Sequence, residues 1–194
     1  LSPEQNIRRA VRRLLTGSGF HEVVTYSFTH PDQIARFPGL YPDAKPVRLA
    51  MPMSEERSVL RTSLVPHLID VAVYNRNRNV DDVAVFEIGK VFVSGEDRLS
   101  TLPDEKWLLG VLWTGARKPK HWNGKAEPVN FYDLKGIFEK IAAYLGIAGI
   151  AFKPTRAEGF HPGRAADIVV KSERGAETIG RIGQLHPDLQ REKE

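Results

Sequence analysis

The stretch Ser58–Phe92 limits the possible folds of this chain most, because it predicts a helix followed by a long strand. The polar residues Thr62 and Ser63 precede the predicted helix, where a side-chain oxygen can accept hydrogen bonds from unpaired N–H groups. Pro66 falls in the first helical turn, where its missing N–H costs nothing. Apolar residues at helical spacing then predict one face turned towards a core: Leu64, Leu68, Val71 and Ala72.

The second half of this stretch predicts the strand. The helical pattern ends in the polar segment Asn75–Asn79, and a β-rich run extends from Val83 to Val93. Gly89 lies inside that run, and a glycine in mid-strand marks a bulge or a close approach of another group. The two-residue period places three apolar side chains on one face of the strand: Ala84, Phe86 and Ile88. We therefore expect a helix laid against a sheet.

Composition is typical of one globular domain. The chain has 194 residues, of which 41% are hydrophobic and 27% charged, and this balance can fill a core. The absence of cysteine excludes disulfides and thiolate metal sites. No apolar run approaches the roughly 20 residues of a membrane span and no signal peptide opens the chain, so we expect a cytoplasmic protein. The net charge of +4 permits an anionic partner without requiring one.

Five ordered segments carry a resemblance to a known family. They are LRTSLVPHL (60–68), VFEIGKVF (85–92), FYDLKG (131–136), FHPGR (160–164) and IGQLHP (182–187). Together they resemble the core of the β subunit of bacterial phenylalanyl-tRNA synthetases, and they extend across nearly the whole chain. One departure is Met51–Ser54, where the resembling proteins usually have Asn-Pro-Leu-Ser. This change removes a polar turn-forming residue and affects the expected local turn.

The resemblance implies an α+β fold like that of class II aminoacyl-tRNA synthetase catalytic domains, with an antiparallel sheet flanked by helices. It implies a single catalytic-like core domain over residues 1–194, excised from a longer β subunit, that performs no catalysis itself. The ends of the chain agree with that expectation. The first residue is Leu1 rather than methionine, and Gln190–Glu194 resembles a helix that is just beginning.

Further elements are predicted by hydrophobic periodicity. A helix is expected at Tyr132–Leu145, ended by Gly146. The apolar run Trp107–Trp113 is typical of a strand buried on both faces. The remaining predicted strands are 20–28, 47–51, 165–171 and 178–185, the last two joined by a turn at Ser172–Gly175.

The N-terminal segment predicts an amphipathic helix that begins with a capping box at Ser2–Gln5. Its polar side carries four arginines, and the residues alone favour a surface helix with a solvated basic face. The family resemblance implies instead a motif-1-like helix that packs at subunit interfaces, where the arginines could meet a partner's carboxylates or tRNA phosphates. The sequence does not choose between these alternatives. The candidate interface residues on the apolar stripe are Ile7, Val11, Leu14 and Leu15.

A basic segment, Gly115–Lys125, follows the predicted strand and contains no acidic residue. Basic side chains beside the ring of Trp122 could bind a nucleic-acid backbone and stack a base. Solvated loops have the same composition, so RNA contact is the less favoured alternative. The candidate RNA-contacting residues are Arg117, Lys118, Lys120 and Lys125.

The segment that would carry catalysis lacks its arginine. A class II active site stabilises charge at the α-phosphate of ATP with two arginines and with Mg²⁺ held by carboxylates. In catalytic relatives the motif 2 strand ends like Gly-Arg-Val-Tyr-Arg, whereas the comparable segment here is Gly89–Ser94, with Val93 or Ser94 where the arginine should stand. The second arginine belongs to motif 3, downstream of Gly183–Pro187 and beyond this sequence. We expect no catalytic residue, metal or cofactor in this chain, with ATP and Mg²⁺ used through the α subunit.

Other acid–base candidates favour structural roles. His161 and His186 each precede a proline at a predicted turn, which favours local hydrogen bonding over proton transfer. Glu87 lies in an apolar strand, where a salt bridge with Lys90 or an arginine is favoured over a partner's amine or guanidinium. Two adjacent acidic pairs predict surface charge rather than metal ligation: Asp81-Asp82 and Glu55-Glu56.

Three functions compete at this point. The first is the non-catalytic core module of a phenylalanine–tRNA ligase β subunit, which scaffolds and stabilises the catalytic α subunit in an (αβ)₂ heterotetramer that attaches phenylalanine to tRNA. The second is a nucleic-acid-binding module with one basic surface formed by Arg8–Arg13 and Arg117–Lys125. The third, an independent adenylating enzyme, is least favoured because the motif 2 arginine is missing.

Overall fold

The computed structural model describes residues 2–192, so Leu1, Lys193 and Glu194 lie outside the described part of the chain. The helices are α1 (Pro3–Gly17), α2 (Pro31–Arg36), α3 (Val65–Arg76), α4 (Phe131–Leu145) and α5 (Pro187–Glu192), with a 3₁₀ turn at Glu55–Arg57. The strands are β1 (His21–Glu22), β2 (Phe28–Thr29), β3 (Val59–Leu60), β4 (Val83–Val93), β5 (Asp104–Thr114), β6 (Ala116–Lys118), β7 (Glu127–Pro128), β8 (Ile150–Pro154), β9 (Phe160–Ser172) and β10 (Gly175–Leu185). Within residues 2–192, every helix is too short or too polar to cross a membrane.

Two three-stranded sheets form the framework. In the first, β4 pairs with β5 in antiparallel register along its whole length, and the short β1 lies parallel to β4 on the other side. In the second, β9 lies between β8 and β10 and is antiparallel to both. Two-stranded ribbons, β2–β3 and β6–β7, complete the strand pairing. The predicted α+β fold with an antiparallel sheet flanked by helices is confirmed, and the parallel β1–β4 pair is an addition to it.

Strand β4 is buried on both faces and organises the core of the first sheet. One face packs against α3, through Val83, Val85 and Val91 on the strand and Leu64, Leu68 and Ala72 on the helix side. The opposite face presents Phe86 to α1 and α4, where Val11, Leu15 and Ile141 cover it. The prediction of a helix laid against a sheet is confirmed, and a second helical layer lies on the other face.

Helix α4 connects the two sheets. Ile141, towards its C-terminal end, contacts the first core around Phe86. Phe138 and Leu134, one and two turns earlier, pack on the second sheet around Ile168. One broad apolar face of the helix therefore serves two cores, with the second sheet packed mainly against its N-terminal half and the first core against its C-terminal end.

Local sequence signals account for where the helices begin and end. The Ser2 hydroxyl of α1 accepts from the Gln5 N–H at 3.2 Å, and the Gln5 side chain accepts from the Ser2 N–H at 2.8 Å, which confirms the capping box. In α3 the Ser63 hydroxyl accepts from the Val65 N–H at 3.2 Å. Helix α4 ends at Gly146, whose φ of +69° is a conformation that other residues seldom adopt.

Three strand predictions were wrong in part. The run 20–28 is divided into β1 and β2, because Thr25 in between bonds to a side chain instead of extending a ladder. The run 47–51 contributes one isolated bridge, Arg48 to Val59, rather than a strand. The run Trp107–Trp113 does lie in a strand, but β5 is the edge of its sheet, so Trp107 and Leu109 remain partly exposed. A run of hydrophobic residues indicates a tendency to be buried, but it does not indicate whether the strand lies at the edge of its sheet.

Candidate functional site

A buried ion pair lies beside the strand that resembles motif 2. Arg61 follows β3 directly and Glu87 lies in the middle of β4, and the two residues are 3% and 2% exposed. The Arg61 Nη1 atom lies 3.1 Å from the Glu87 Oε1 atom. The prediction that Glu87 pairs with a cation of this chain is confirmed for an arginine, whereas Lys90 pairs with Glu105 instead.

Both members of this pair form further hydrogen bonds within the chain. The Thr25 hydroxyl donates to Glu87 at 2.7 Å, and the Thr25 N–H donates to the same carboxylate at 3.2 Å. Arg61 donates to the carbonyl of Lys90 at 2.9 Å and to that of Tyr26 at 3.3 Å. A buried charge is tolerated when it is paired and hydrogen-bonded in this way. The network thus joins β4 to the segment before α3 and to the loop after β1.

Gly89 makes room for this network. A Cβ atom added at Gly89 would lie 2.5 Å from the Nη2 atom of Arg61. The predicted close approach at this glycine is confirmed, and the approaching group is the buried guanidinium. The alternative of a bulge is excluded by the unbroken register between β4 and β5.

The end of β4 holds no arginine at the place where a class II enzyme would grip ATP. Val93 packs at the edge of the α3 core. Ser94 caps the next turn, since its hydroxyl accepts from the Glu96 N–H at 3.1 Å, and its carbonyl accepts from the Lys45 N–H at 2.7 Å. The side chain of Lys45 pairs with Asp97 at 3.5 Å. This strand end therefore carries two neutral side chains, Val93 and Ser94, and the nearby Lys45 is already paired with Asp97.

A cleft of about 690 Å³ lies between the two sheets and is bordered by β5, β10 and α3. Three arginines line it. Arg181 donates to Asp167 at 2.8 Å and to the Gly39 carbonyl at 3.0 Å, and Arg36 pairs with Glu192. Arg76 lies exposed at the C-terminal end of α3. Carboxylates thus compensate two of the three guanidinium groups, and the absence of catalysis by this chain stays a prediction.

The predicted interface residues of α1 divide into buried and exposed positions. Leu15 and Val11 are 0% and 7% exposed, because they pack on Phe86 within this chain. Both side chains are therefore occupied by contacts within this chain, and an interface role for them stays a prediction. Leu14 is partly buried against the same core. Ile7, at 49% exposure, is the member of the set that faces outward, and whether it meets a subunit stays a prediction.

The predicted RNA-contacting residues also divide into two kinds. Arg117 is bound to Glu127 and lies 3.0 Å from Asp133, and these hydrogen bonds raise the pKa of its guanidinium. Lys118 lies 3.8 Å from Glu127. Lys120 and Lys125 form no ion pair with any residue between 2 and 192. Of the four, Lys120 and Lys125 are therefore the two that no acid in the described residues already engages, and RNA contact by any of the four stays a prediction.

The other polar candidates have local roles. His161 Nδ1 accepts from the Gly163 N–H at 3.0 Å, and His186 Nδ1 accepts from the Asp188 N–H at 3.2 Å, which confirms local hydrogen bonding for both. The turn predicted at His161 was wrong, because this residue lies in β9. Asp82 accepts from the Ala116 N–H at 2.7 Å. In the described part of the chain, no group of three or more His, Asp or Glu side chains is arranged to hold a metal ion.

Sequence reasoning missed Arg61 as a central residue of the site. It lies within the segment LRTSLVPHL, but nothing local distinguishes a buried arginine there from a solvated one. The available signal was its position between Leu60 and the buried start of a helix, because an arginine that is buried there needs an acid within reach.

Among solved structures, the fold is similar to that of pyrrolysyl-tRNA synthetase from Desulfitobacterium hafniense. One structure of that protein has a TM-score of 0.57 at 16% sequence identity and covers 86% of this chain and 52% of that chain. A second has a TM-score of 0.58 at 17% identity, with 84% and 54% covered. At this level of identity the similarity shows the fold, a class II synthetase fold, and nothing about substrate.

Sequence relatives are more specific. The phenylalanine–tRNA ligase beta subunit of Geobacillus kaustophilus is 45% identical over 193 residues, and that of Halalkalibacterium halodurans is 42% identical over 193 residues. Each alignment covers 99% of this chain and 23% of the relative, so the chain spans about a quarter of the length of these relatives. The family profile described as "Phenylalanyl tRNA synthetase beta chain CLM domain" matches residues 1–194. The chain therefore belongs to the CLM-domain family of phenylalanyl-tRNA synthetase β chains.

Proposed function

We propose that this chain is the non-catalytic core module of a phenylalanine–tRNA ligase β subunit, and that it scaffolds and stabilises the catalytic α subunit. The observation that carries the proposal is the Arg61–Glu87 network. The guanidinium beside the motif-2-like strand is held by a carboxylate, a hydroxyl and two backbone carbonyls of its own chain. A guanidinium engaged in this way would have to give up these bonds, inside the core, before it could hold a phosphate.

The strand end supports the same proposal. Transition-state charge on a phosphate is stabilised by preorganised cations at short range, and Val93 and Ser94 supply no cation there. ATP and Mg²⁺ would therefore be bound by the α subunit of a cytoplasmic ligase, and the phenylalanine and tRNA would meet there. The role left to this module is to present a folded surface to its partner.

The surface that fits a protein partner lies at α1 and the start of β5. We call it the Trp107 surface, and it consists of Ile7, Arg8, Lys90 and Trp107. The guanidinium of Arg8 lies over the Trp107 ring at 4.3 Å, and the Lys90 ammonium lies 5.4 Å from the same ring. Tryptophan and arginine are enriched at the centres of protein interfaces. Half-exposed Ile7 adds apolar area beside Arg8.

Phenylalanine-dependent exchange of pyrophosphate into ATP tests the lack of catalysis. The chain is assayed alone, then with the α subunit. We expect no exchange from the chain alone, since the phosphate-binding arginine is missing, and exchange only when the α subunit is present. Exchange by the isolated chain, abolished when Arg76 or Arg181 is replaced by alanine, would overturn the proposal.

Binding of the α subunit tests the Trp107 surface. Ile7→Asp places a charge on it without entering the core, because Ile7 is half exposed. Tyr144→Asp places the same charge at an exposed position of α4 and is the matched control. We expect Ile7→Asp to weaken binding at least about tenfold, as loss of a central contact does, and Tyr144→Asp to leave it unchanged. Equal binding by both variants would remove the Trp107 surface from the interface.

A second candidate function, nucleic-acid binding, is favoured by one observation. The hairpin formed by β6 and β7 carries two lysines without acidic partners among residues 2–192, and a fully exposed tryptophan lies between them. Salt-dependent binding of tRNA by the 194-residue chain would support this function. The two functions are compatible, since a module that packs on the α subunit can also touch the tRNA.

A further inference from the structure

The tip of the β6–β7 hairpin presents side chains that the fold does not use. His121 and Gly124 exchange two backbone hydrogen bonds, of 3.2 and 3.1 Å, which close a tight turn. Trp122 lies in that turn with 96% of its surface exposed. An exposed indole contributes nothing to the core, because the hydrophobic effect acts only on area removed from water.

The stem of the hairpin is held firmly to the body of the domain. Arg117 in β6 bonds to Glu127 in β7 and to Asp133 in the first turn of α4. The Ala116 N–H donates to Asp82 at 2.7 Å, and the Val129 N–H donates to the Gly115 carbonyl at 3.0 Å. The turn that carries Trp122 is thus presented from a stem with fixed connections on both strands.

The charge at the tip is positive, and no acidic side chain among residues 2–192 neutralises it. Glu127, the acid nearest in sequence, is already bound by Arg117 and lies within 3.8 Å of Lys118. Lys120 and Lys125, two and three residues from Trp122, have no acidic partner in the described part of the chain. The tip therefore combines an open aromatic face with two available ammonium groups.

We propose that this hairpin tip binds a single-stranded segment of RNA, with one base stacked on Trp122 and neighbouring phosphates paired with Lys120 and Lys125. Base stacking on an exposed aromatic ring beside basic side chains is the usual mode of single-strand recognition. The choice of RNA over DNA rests on the proposed function, because a tRNA ligase acts on RNA.

The same residues fit a protein partner poorly. Lysine is depleted at the centres of protein interfaces, and an anchor tryptophan there is surrounded by apolar contacts that exclude water. The neighbours of Trp122 in the turn are His121, Asn123 and Gly124, which form no apolar rim. A single-stranded nucleic acid needs no such rim, since a base covers the ring by itself.

The test titrates the 194-residue chain with a short labelled oligouridine and records anisotropy and the quenching of tryptophan fluorescence. We expect Trp122→Ala to weaken binding by about 5- to 150-fold, the range found when one stacking contact is lost. Trp122→Phe keeps an aromatic face and should retain most of the affinity. Lys120→Ala with Lys125→Ala should reduce the slope of log K against log salt by about 1.4. Lys153→Ala with Lys171→Ala, which removes two exposed lysines elsewhere, should not change that slope.

Several outcomes would overturn the inference. These are wild-type affinity for Trp122→Ala, equal affinity for an RNA duplex of the same length, or equally strong competition by polyglutamate, which would indicate a response to charge alone. Folding does not confound the result, because replacing a side chain that is 96% exposed should leave the unfolding midpoint unchanged.

Binding of the α subunit separates failure of this inference from failure of the proposed function. If the α subunit does not bind but Trp122→Ala still loses RNA, the hairpin inference stands. If Trp122→Ala binds RNA as wild type while the α subunit binds, only the hairpin inference fails.

Discussion

Arg61 and Glu87 show how one buried ion pair can fix the position of a strand relative to its neighbours. They are 26 positions apart in the sequence and both are almost completely buried. The attraction between such charges is offset by the cost of removing both from water, so the pair gives specific geometry more than net stability. The pair is one reason why β4 and the segment before α3 pack together in a single alignment.

Removing one partner of this pair should be much more harmful than removing both. Arg61→Met leaves the Glu87 carboxylate buried without its cation, and we expect a loss of about 3–5 kcal/mol in the free energy of unfolding. Arg61→Met combined with Glu87→Leu should recover most of that loss. Urea unfolding measures both. Lys90→Met, which breaks the exposed pair with Glu105, should cost at most about 1 kcal/mol. A smaller loss of unfolding free energy for Arg61→Met than for Lys90→Met would contradict the assigned role of Arg61.

His67 should make stability depend on pH. Burial, followed by the charge of Arg61, lowers the pKa of His67 from its ordinary 6.5, and its Nε2 atom is buried without a hydrogen-bond partner in the described structure. The unfolded chain therefore takes up a proton at His67 more readily than the folded chain. Stability rises with pH in the interval between the two pKa values and is lost as the pH falls below 6.5.

A variant isolates this contribution. His67→Gln does not titrate, so the difference in unfolding free energy between the wild type and this variant should fall as the pH is lowered through 6.5 and level off below the folded-state pKa. Urea unfolding at a series of pH values gives that difference. A constant difference across the series would mean that His67 has the same pKa in both states.

At the scale of elements, the contact between α3 and β5 depends on a glycine. A Cβ atom at Gly110 would lie 2.8 Å from the Leu68 Cδ1 atom and 2.9 Å from the Leu64 Cβ atom. The helix therefore rests directly on the strand backbone at this point. Such a close approach lets the Leu64 and Leu68 side chains reach the buried valines of β4.

Two glycine substitutions should have opposite effects. Gly110→Ala forces α3 away from β5, and we expect a loss of about 1–3 kcal/mol in the free energy of unfolding, the cost of overpacking. Gly136→Ala lies on the exposed side of α4 with open space around the added methyl, so it should gain about 0.5–1 kcal/mol from helix propensity. Thermal and urea unfolding of the two variants check both signs. A neutral Gly110→Ala would show that the helix can shift without loss.

At the scale of the whole molecule, α4 makes two sheets into one structure. Phe138 contacts the second sheet through Phe152, with ring centroids 5.9 Å apart, and Ile141 contacts the first core. The helix cannot lose its place in one core without disturbing the other. We therefore expect the two sheets to unfold together.

Phe138→Ala tests that expectation. The change removes a ring that packs on the second sheet, and we expect a loss of about 2–4 kcal/mol. Trp113 reports on the first core, where its ring lies 5.1 Å from that of Phe20. The urea midpoint followed by tryptophan fluorescence should move as far as the midpoint followed by far-ultraviolet circular dichroism. A fluorescence midpoint that does not move would show that the sheets unfold as separate units.

Much of this architecture was predictable from the sequence alone, because its determinants are local. The stripe and cap of α1, the strand Val83–Val93, the helix that ends at Gly146 and the hairpin before Gly175 depend on residues close together in the chain. The side-chain periods and the caps act within one or two turns, so all the interacting groups lie within a short stretch of sequence. The ordered motifs further determined the family to which the chain belongs.

Only the tertiary structure decided which face of each element meets which partner. It placed Val11 and Leu15 inside the chain, exposed one side of β5 and paired Glu87 with Arg61. It also used Arg117 to hold a hairpin, and it left Lys120 and Lys125 without an acidic partner among residues 2–192. These outcomes depend on contacts between residues far apart in the chain. A periodic pattern indicates that a side chain will be buried or paired with an opposite charge. Which group becomes its partner depends on how the sheets and helices pack against one another.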